Sequence, residues 1–328
     1  MPKTILRDDD IALAPLLDKN VVILGYGNQG RPQALNLRDS GIQVKIGARA
    51  DSGKRAIAEA DHFEVLSVAD ALAWGEVVML LLPDEVMADV YTQMLQPHLR
   101  PGHYLGFGHG LAIHAGWIQP APDLNVFLVA PKAQGRGVRN KYLSDTGVPA
   151  LFSVHQDPGG DTEVVALAYA KALGCGRVGI LPTTFAEETI CDLFSEQAVL
   201  CGGLTSLIKT AFETLVERGF SAETAYFECL YEVKLIADLL HEKGINGMRS
   251  AISSTALYGD ISRGERIIDS HVRENMRQVL EEIINGQFSQ AMRREFSQDK
   301  PQIRQALHRD EQHLIERTHR DLHERLHF

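Results

Sequence analysis

Five short apolar runs punctuate the first half of the chain, and each gives way to glycine or proline. Val21 to Leu24 runs into Gly25, Gln43 to Ile46 into Gly47, and Val77 to Leu82 into Pro83. Tyr104 to Phe107 runs into Gly108, and Asn125 to Val129 into Ala130-Pro131. Runs that are continuously apolar rather than alternating predict parallel strands covered on both faces. Val148 to Val154 reads as a last strand. Beyond it the period becomes helical, over Thr162 to Leu173 and again from about Glu187 onward. The pattern predicts an α/β part with a doubly wound sheet over residues 1–182 and an all-α part over 183–328, divided near Pro182. In the second part, helices are predicted over Ala198 to Arg218 and Ser221 to Lys243, with Ser221, Glu223 and Thr224 as an N-terminal signal. Their apolar positions fall on more than one face, which predicts an obligate dimer. Gln302 to Phe328 mixes charges of both signs and reads as an exposed helix or tail.

Composition narrows the function classes. A chain of 328 residues with 45% hydrophobic and 23% charged positions can bury a full core. Its net charge of -10 argues against a nucleic-acid surface. Cys175, Cys191, Cys201 and Cys229 have no CxxC spacing, so neither a zinc site nor a disulfide framework is suggested, and a reducing cytoplasm fits. Asp8, Asp9 and Asp10 precede any apolar run, unlike a signal peptide, and no uninterrupted apolar run nears the ~18 residues of a membrane span.

The first run leads into Gly25-Tyr26-Gly27-Asn28-Gln29-Gly30, a GxGxxG between strand and helix. In that context the glycines permit a tight turn, the approach of a pyrophosphate and close helix packing, and the helix N-terminus would hold the phosphates. The loop after the second strand, with Arg49, Asp51, Ser52 and Lys54, would meet the adenosine ribose. Arg49, Ser52 and Lys54 favour the 2′-phosphate of NADPH, whereas Asp51 argues for NADH. His109 and Lys132 follow strand ends that converge on the same crevice, which makes them candidates for the nicotinamide end or the substrate.

Two carboxylate pairs stand in the helical half: Asp192 with Glu196, and Glu228 with Glu232. Spacing of i,i+4 puts each pair on one helix face. Chance alone yields roughly five or six such pairs in a chain with 43 acids, so the informative feature is their apolar setting: Leu193, Phe194, Val199 and Leu200 around the first, and Ala225, Tyr226, Phe227, Leu235 and Ile236 around the second. Carboxylates buried together need cations, and oxygen-only donors select Mg²⁺ first and Mn²⁺ second.

Together with Pro83-Asp84-Glu85, His109-Gly110, Ala130-Pro131-Lys132, Asp192-Leu193-Phe194-Ser195-Glu196-Gln197 and Ala225-Tyr226-Phe227-Glu228 through Glu232, these motifs resemble the short bacterial ketol-acid reductoisomerases from about Ile5 to Gly286. The resemblance implies a Rossmann-type domain followed by a knotted helical domain, in a cytoplasmic homodimer with shared active sites or a higher oligomer. It implies Mg²⁺-dependent alkyl migration in 2-acetolactate or 2-aceto-2-hydroxybutyrate, and then reduction by NADPH, with NADH possible, to a 2,3-dihydroxy acid of valine and isoleucine biosynthesis. The cofactor would lie on Gly25, Tyr26, Gly27, Asn28, Gln29, Gly30, Arg49, Ser52, Lys54 and Asp84. Two Mg²⁺ per site would be held by Asp192 and Glu196 of one subunit and Glu228 and Glu232 of the other. Ser253, Glu232 and Cys201 would face the substrate, and His109, Lys132 and Glu196 the reacting centre. The chain departs from the family pattern at Ser254, Leu257, Ser195, Cys191, Tyr231 and the Gln134 to Arg136 loop, which supports a second reading, a divergent relative that acts on a different 2-hydroxy-3-keto or 2-keto acid in a specialised pathway. A silent nucleotide-binding dimer is the third reading, and the retention of all four acids speaks against it.

Overall fold

The apolar runs form strands because each can be buried on both faces, and in the computed structural model, which describes residues 3–326, they are. All four residues of β1, Val21–Leu24, are buried, as are those of β4, Val77–Leu80, and β5, Tyr104–Phe107. The other strands are β2 (Val44–Gly47), β3 (Val65–Leu66), β6 (Asn125–Pro131), β7 (Ala150–Gln156) and β8 (Ile180–Pro182). Among the described residues they make one eight-stranded sheet in the order β3-β2-β1-β4-β5-β6-β7-β8. Strand β1 lies at its reversal point, with Val21 level with Val44 on one side and Val77 on the other. Ligands bind at such a switch point, outside the carboxyl ends of the strands. The architecture is Rossmann-type, with a largely helical second part.

Two details differ from the sequence reading. The sheet is mixed, because β7 runs antiparallel to β6. It is also not the last strand: β8 follows, parallel to β7, and bridges to Leu6 near the N-terminus. Like β3, β8 is too short to show a period in the sequence.

The chain forms two compact units, Met1–Cys191 and Asp192–Phe328. In the first, one apolar cluster fills each sheet face, around Leu37, Phe127 and Tyr169 on one side and Leu72, Leu80 and Phe107 on the other. In the second, Phe212, Ala225, Tyr226, Ile315 and Leu322 form a small core. The C-terminal segment is therefore not a free tail. Its helix Leu314–Arg325 docks through Ile315, Thr318 and Leu322, while Phe328 lies outside the described residues. Ser221 caps its helix as expected, accepting from the Thr224 amide. The helix expected to run from Ser221 to Lys243 is interrupted by a π-helical turn at Phe227–Tyr231. The helical stretch Phe185–Glu217, which contains a π-helical turn at Glu196–Leu200, is long and apolar enough to cross a membrane by length and composition alone.

Candidate active site

The turn Gly25 to Gly30 has the shape its glycines require. Gly25 takes φ +101°, and a Cβ on it would stand 2.3 Å from the Leu81 carbonyl oxygen; one on Gly30 would stand 1.7 Å from the Gly25 oxygen. At Gly27, by contrast, nothing lies within 4 Å, so the middle of the turn is open to a ligand that approaches the backbone. The helix Gly30–Asp39 starts there, with the positive end of its dipole at that space. The Gln29 amide donates to the Ala133 carbonyl at 3.0 Å and accepts from Gln33, which in turn accepts from Tyr169, so the turn is tied to the loop after Lys132. Asp84 opens the helix after β4.

In the loop after β2, charged groups pair with one another. Arg49 and Asp51 face each other at 3.4 Å, and both are exposed. Such a pair is worth little in water but lowers the net positive charge that Arg49 presents. Ser52 and Lys54 complete the loop, the Ser52 hydroxyl accepting from the Lys54 amide at 3.4 Å.

His109 and Lys132, at the ends of β5 and β6, are joined by a residue that sequence reasoning missed. Glu188, on the helix Phe185–Ser195, has a side chain only 1% exposed. One carboxylate oxygen accepts from Lys132 Nζ at 3.0 Å; the other accepts from the Gly110 amide at 2.9 Å and lies 3.1 Å from His109 Nδ1. Burial by itself would raise the Glu188 carboxyl, but His109 and Lys132 outweigh it and hold it below the usual carboxylate range. Gly110 lets the helix come this close: a Cβ there would meet Thr189 Oγ1 at 2.5 Å. The only signal in the sequence was Glu188 standing one helical turn before Asp192, which extends the acid pair to three acids at i, i+4, i+8. The result is an anchored cation and an imidazole, both partly exposed, that can hold or pass protons at the cofactor crevice.

The acid pairs have a different environment from the one expected. Asp192 is half-buried, while Glu196, Glu228 and Glu232 are exposed. Much of their apolar flank is exposed as well, Val199 at 54%, Leu200 at 61% and Leu235 at 53%, although Leu193, Ala225 and Tyr226 are buried. Asp192 and Glu196 share the helix Phe185–Glu217, and a π-helical turn begins at Glu196, with the Cys201 amide donating to the Glu196 carbonyl at 2.9 Å. A second π-helical turn holds Glu228, with the Glu232 amide donating to the Phe227 carbonyl at 3.1 Å. Such turns, with one extra residue, are frequent at functional sites because they rotate the side chains that follow. Four carboxylates in two one-turn pairs are a donor set suited to hard divalent cations. Ser253 caps the helix Ser254–Ile267, its hydroxyl accepting from the Ala256 amide at 3.1 Å, and Cys201 is exposed.

Comparison with known proteins agrees with both halves of this description. Residues 15–179 match the family described as acetohydroxy acid isomeroreductase, NADPH-binding domain, and residues 185–328 match ketol-acid reductoisomerase, C-terminal domain. The chain is 48% identical over 312 residues to a ketol-acid reductoisomerase (NADP(+)) of Petrotoga mobilis, covering 95% of this chain and 94% of the relative. Among solved structures, it superposes with TM-score 0.96 and 41% identity on an NADH-preferring ketol-acid reductoisomerase from an uncultured archean, covering 99% of this chain and 100% of that one. An NAD-binding semialdehyde dehydrogenase protein from Cupriavidus necator, at 21% identity and TM-score 0.59, shares the fold.

Proposed function

We infer the reaction of this chain from its membership of a family: it belongs to the ketol-acid reductoisomerases, and it is an oxidoreductase with an NADP(H)-binding domain. Its substrate on this reading is 2-acetolactate or 2-aceto-2-hydroxybutyrate, and its product the 2,3-dihydroxy acid of valine and isoleucine biosynthesis. The observation that carries the reading is the Glu188-centred group of His109 and Lys132 beside a glycine turn open to a dinucleotide, in a chain that keeps all four acids.

In chemical terms, the C2 hydroxyl loses its proton, the alkyl group moves with its bonding pair from C2 to C3, and the former ketone oxygen at C3 takes up a proton. The new C2 ketone then accepts a hydride at carbon and a proton at oxygen. Mg²⁺ held by Asp192 and Glu196 with Glu228 and Glu232, when bound, supplies Lewis acidity that polarises the ketone and lowers the pKa of the neighbouring hydroxyl. Lys132 and His109 move protons at these oxygens, and Glu188 keeps both aimed. Ser253, Glu232 and Cys201 serve the substrate side. NADPH supplies the hydride, with Arg49, Ser52 and Lys54 at its 2′-phosphate, and the Arg49–Asp51 pair makes the preference over NADH modest. The relatives bear on this, since one is named for NADP(+) and another as NADH-preferring.

The same reading assigns nucleotide binding to residues 1–182. It assigns the metal site, the substrate and dimerisation to a knotted domain over 183–328. The exposed apolar residues of the helical unit, Leu207, Ile245 and Ile261 among them, support a second copy as their cover, with each site drawing acids from both subunits. A cytoplasmic location follows from the pathway. Rescue of a valine and isoleucine auxotroph tests the assignment. Failure of the folded, metal-loaded protein to support growth, with no turnover of 2-acetolactate, would remove the substrate. The departures at Ser254 and Leu257 would then point to another 2-hydroxy-3-keto acid.

A further inference from the structure

The phosphate turn has a side-chain clamp that its glycines do not explain. Asp61 follows the helix Arg55–Ala60, well away in sequence from the turn. One of its carboxylate oxygens accepts from the Tyr26 hydroxyl at 2.8 Å and from Arg31 Nε at 2.6 Å; the other accepts from Arg31 Nη2 at 2.9 Å. Its backbone carbonyl accepts from Arg38 Nη1 at 2.6 Å. Tyr26 is the second residue of the turn, and Arg31 immediately follows its last glycine, so a single carboxylate holds both ends. Phe63 completes the group, edge-on to the Tyr26 ring at 5.9 Å and under the Arg38 guanidinium at 4.8 Å. The Asp61 side chain is 18% exposed and Arg31 51%, so the Arg31 bond is a bidentate pair at the rim, and the Tyr26 bond is the more buried of the two. The Arg31 guanidinium holds the Asp61 carboxyl below its usual range, so the clamp is charged at neutral pH.

We propose that Asp61 is a positioning residue for the dinucleotide: acting through Tyr26 and Arg31, it holds the Gly25 to Gly30 turn in its phosphate-binding shape before the cofactor arrives. The proposal rests on the reading of that turn as the phosphate seat. A turn held open in advance spares the cofactor the cost of ordering it. NADPH and NADH share the pyrophosphate, so the clamp serves both alike, unlike the Arg49 loop.

The test is binding of NADPH and NADH to the full chain by fluorescence titration, alongside kcat, the KM for each cofactor and thermal melting. Asp61→Ala is expected to raise Kd about tenfold for both cofactors, equivalent to roughly 1.4 kcal/mol, with kcat at saturating cofactor changed far less. Asp61→Asn, which keeps the volume and an acceptor for Tyr26, is expected to fall between and serves if the alanine variant does not fold. Tyr26→Phe should weaken binding in the unaltered protein but add little in the Asp61→Ala background, where the Tyr26 hydroxyl has already lost its acceptor. Lower melting with unchanged Kd would overturn the proposal by making the clamp merely structural. A loss confined to NADPH would overturn it by placing the effect at the ribose loop. If the unaltered protein binds neither cofactor, the phosphate seat itself is refuted, and the proposal with it.

Discussion

Replacing Glu188 by glutamine changes a single atom at the point where β5, β6 and the helix Phe185–Ser195 are fastened together. The carboxylate receives Lys132 at 3.0 Å and Gly110 at 2.9 Å, with His109 at 3.1 Å, and water does not reach it. The amide keeps the volume but loses the charge, and its NH2 must face a group that now donates to a carboxylate. Hydrogen bonds to charged groups contribute about 1.5–3 kcal/mol each. Breaking a buried pair on one side costs roughly 3–5 kcal/mol. For a unit of this size that corresponds to a fall in melting temperature on the order of 10 °C. Released from their shared anchor, Lys132 and His109 lose their aim, and kcat is expected to drop about 10²- to 10³-fold. The pH dependence has a definite sign. Glu188 titrates below its ordinary 4.5 in the folded chain, so its stabilisation is complete above that value and is lost as pH falls through the folded value. The glutamine variant should lack this acid loss. Calorimetry at a series of pH values from neutral downward, with steady-state kinetics, checks both parts. Unchanged melting and a kcat within about twofold of the unaltered protein would refute the reasoning.

Three further outcomes are expected. Asp192→Asn or Glu196→Gln should abolish alkyl migration while NADPH titration is unaffected, and full activity in excess chelator would remove the metal from the reading. Asp51→Ala should free Arg49 and raise the NADPH-to-NADH ratio of kcat/KM severalfold, whereas Arg49→Asp should reverse it; equal ratios in all three proteins would show that this loop does not meet the ribose. If acids from two subunits complete one site, refolding an Asp192→Asn chain with a Glu232→Gln chain should restore part of the activity lost by each. Zero activity in proven mixed dimers would place both pairs within one subunit.

Locally encoded features were legible from the residues. The Gly25 to Gly30 turn, the fully buried strands β1, β4 and β5, the Ser221 cap and the one-turn spacing of the acid pairs each depend on neighbours a few positions apart, so period and glycine placement specify them. Strands β3 and β8 escaped because two or three residues carry no period, and the antiparallel course of β7 is decided by which edge it pairs with. Tertiary structure alone decided the partners of charged groups. Glu188 finds Lys132 56 positions away, and Asp61 finds Arg31 30 positions away. A carboxylate's composition and spacing are the same whether it faces water, a metal or a guanidinium. Its role is chosen by desolvation and by whichever cation the fold brings within about 3 Å, because at that separation the Coulomb term outweighs the preferences of the local chain. The apolar flanks of the acid pairs show the same limit: the sequence marks Val199, Leu200 and Leu235 for burial, but a single folded chain leaves them exposed, since only a surface brought against them can cover them.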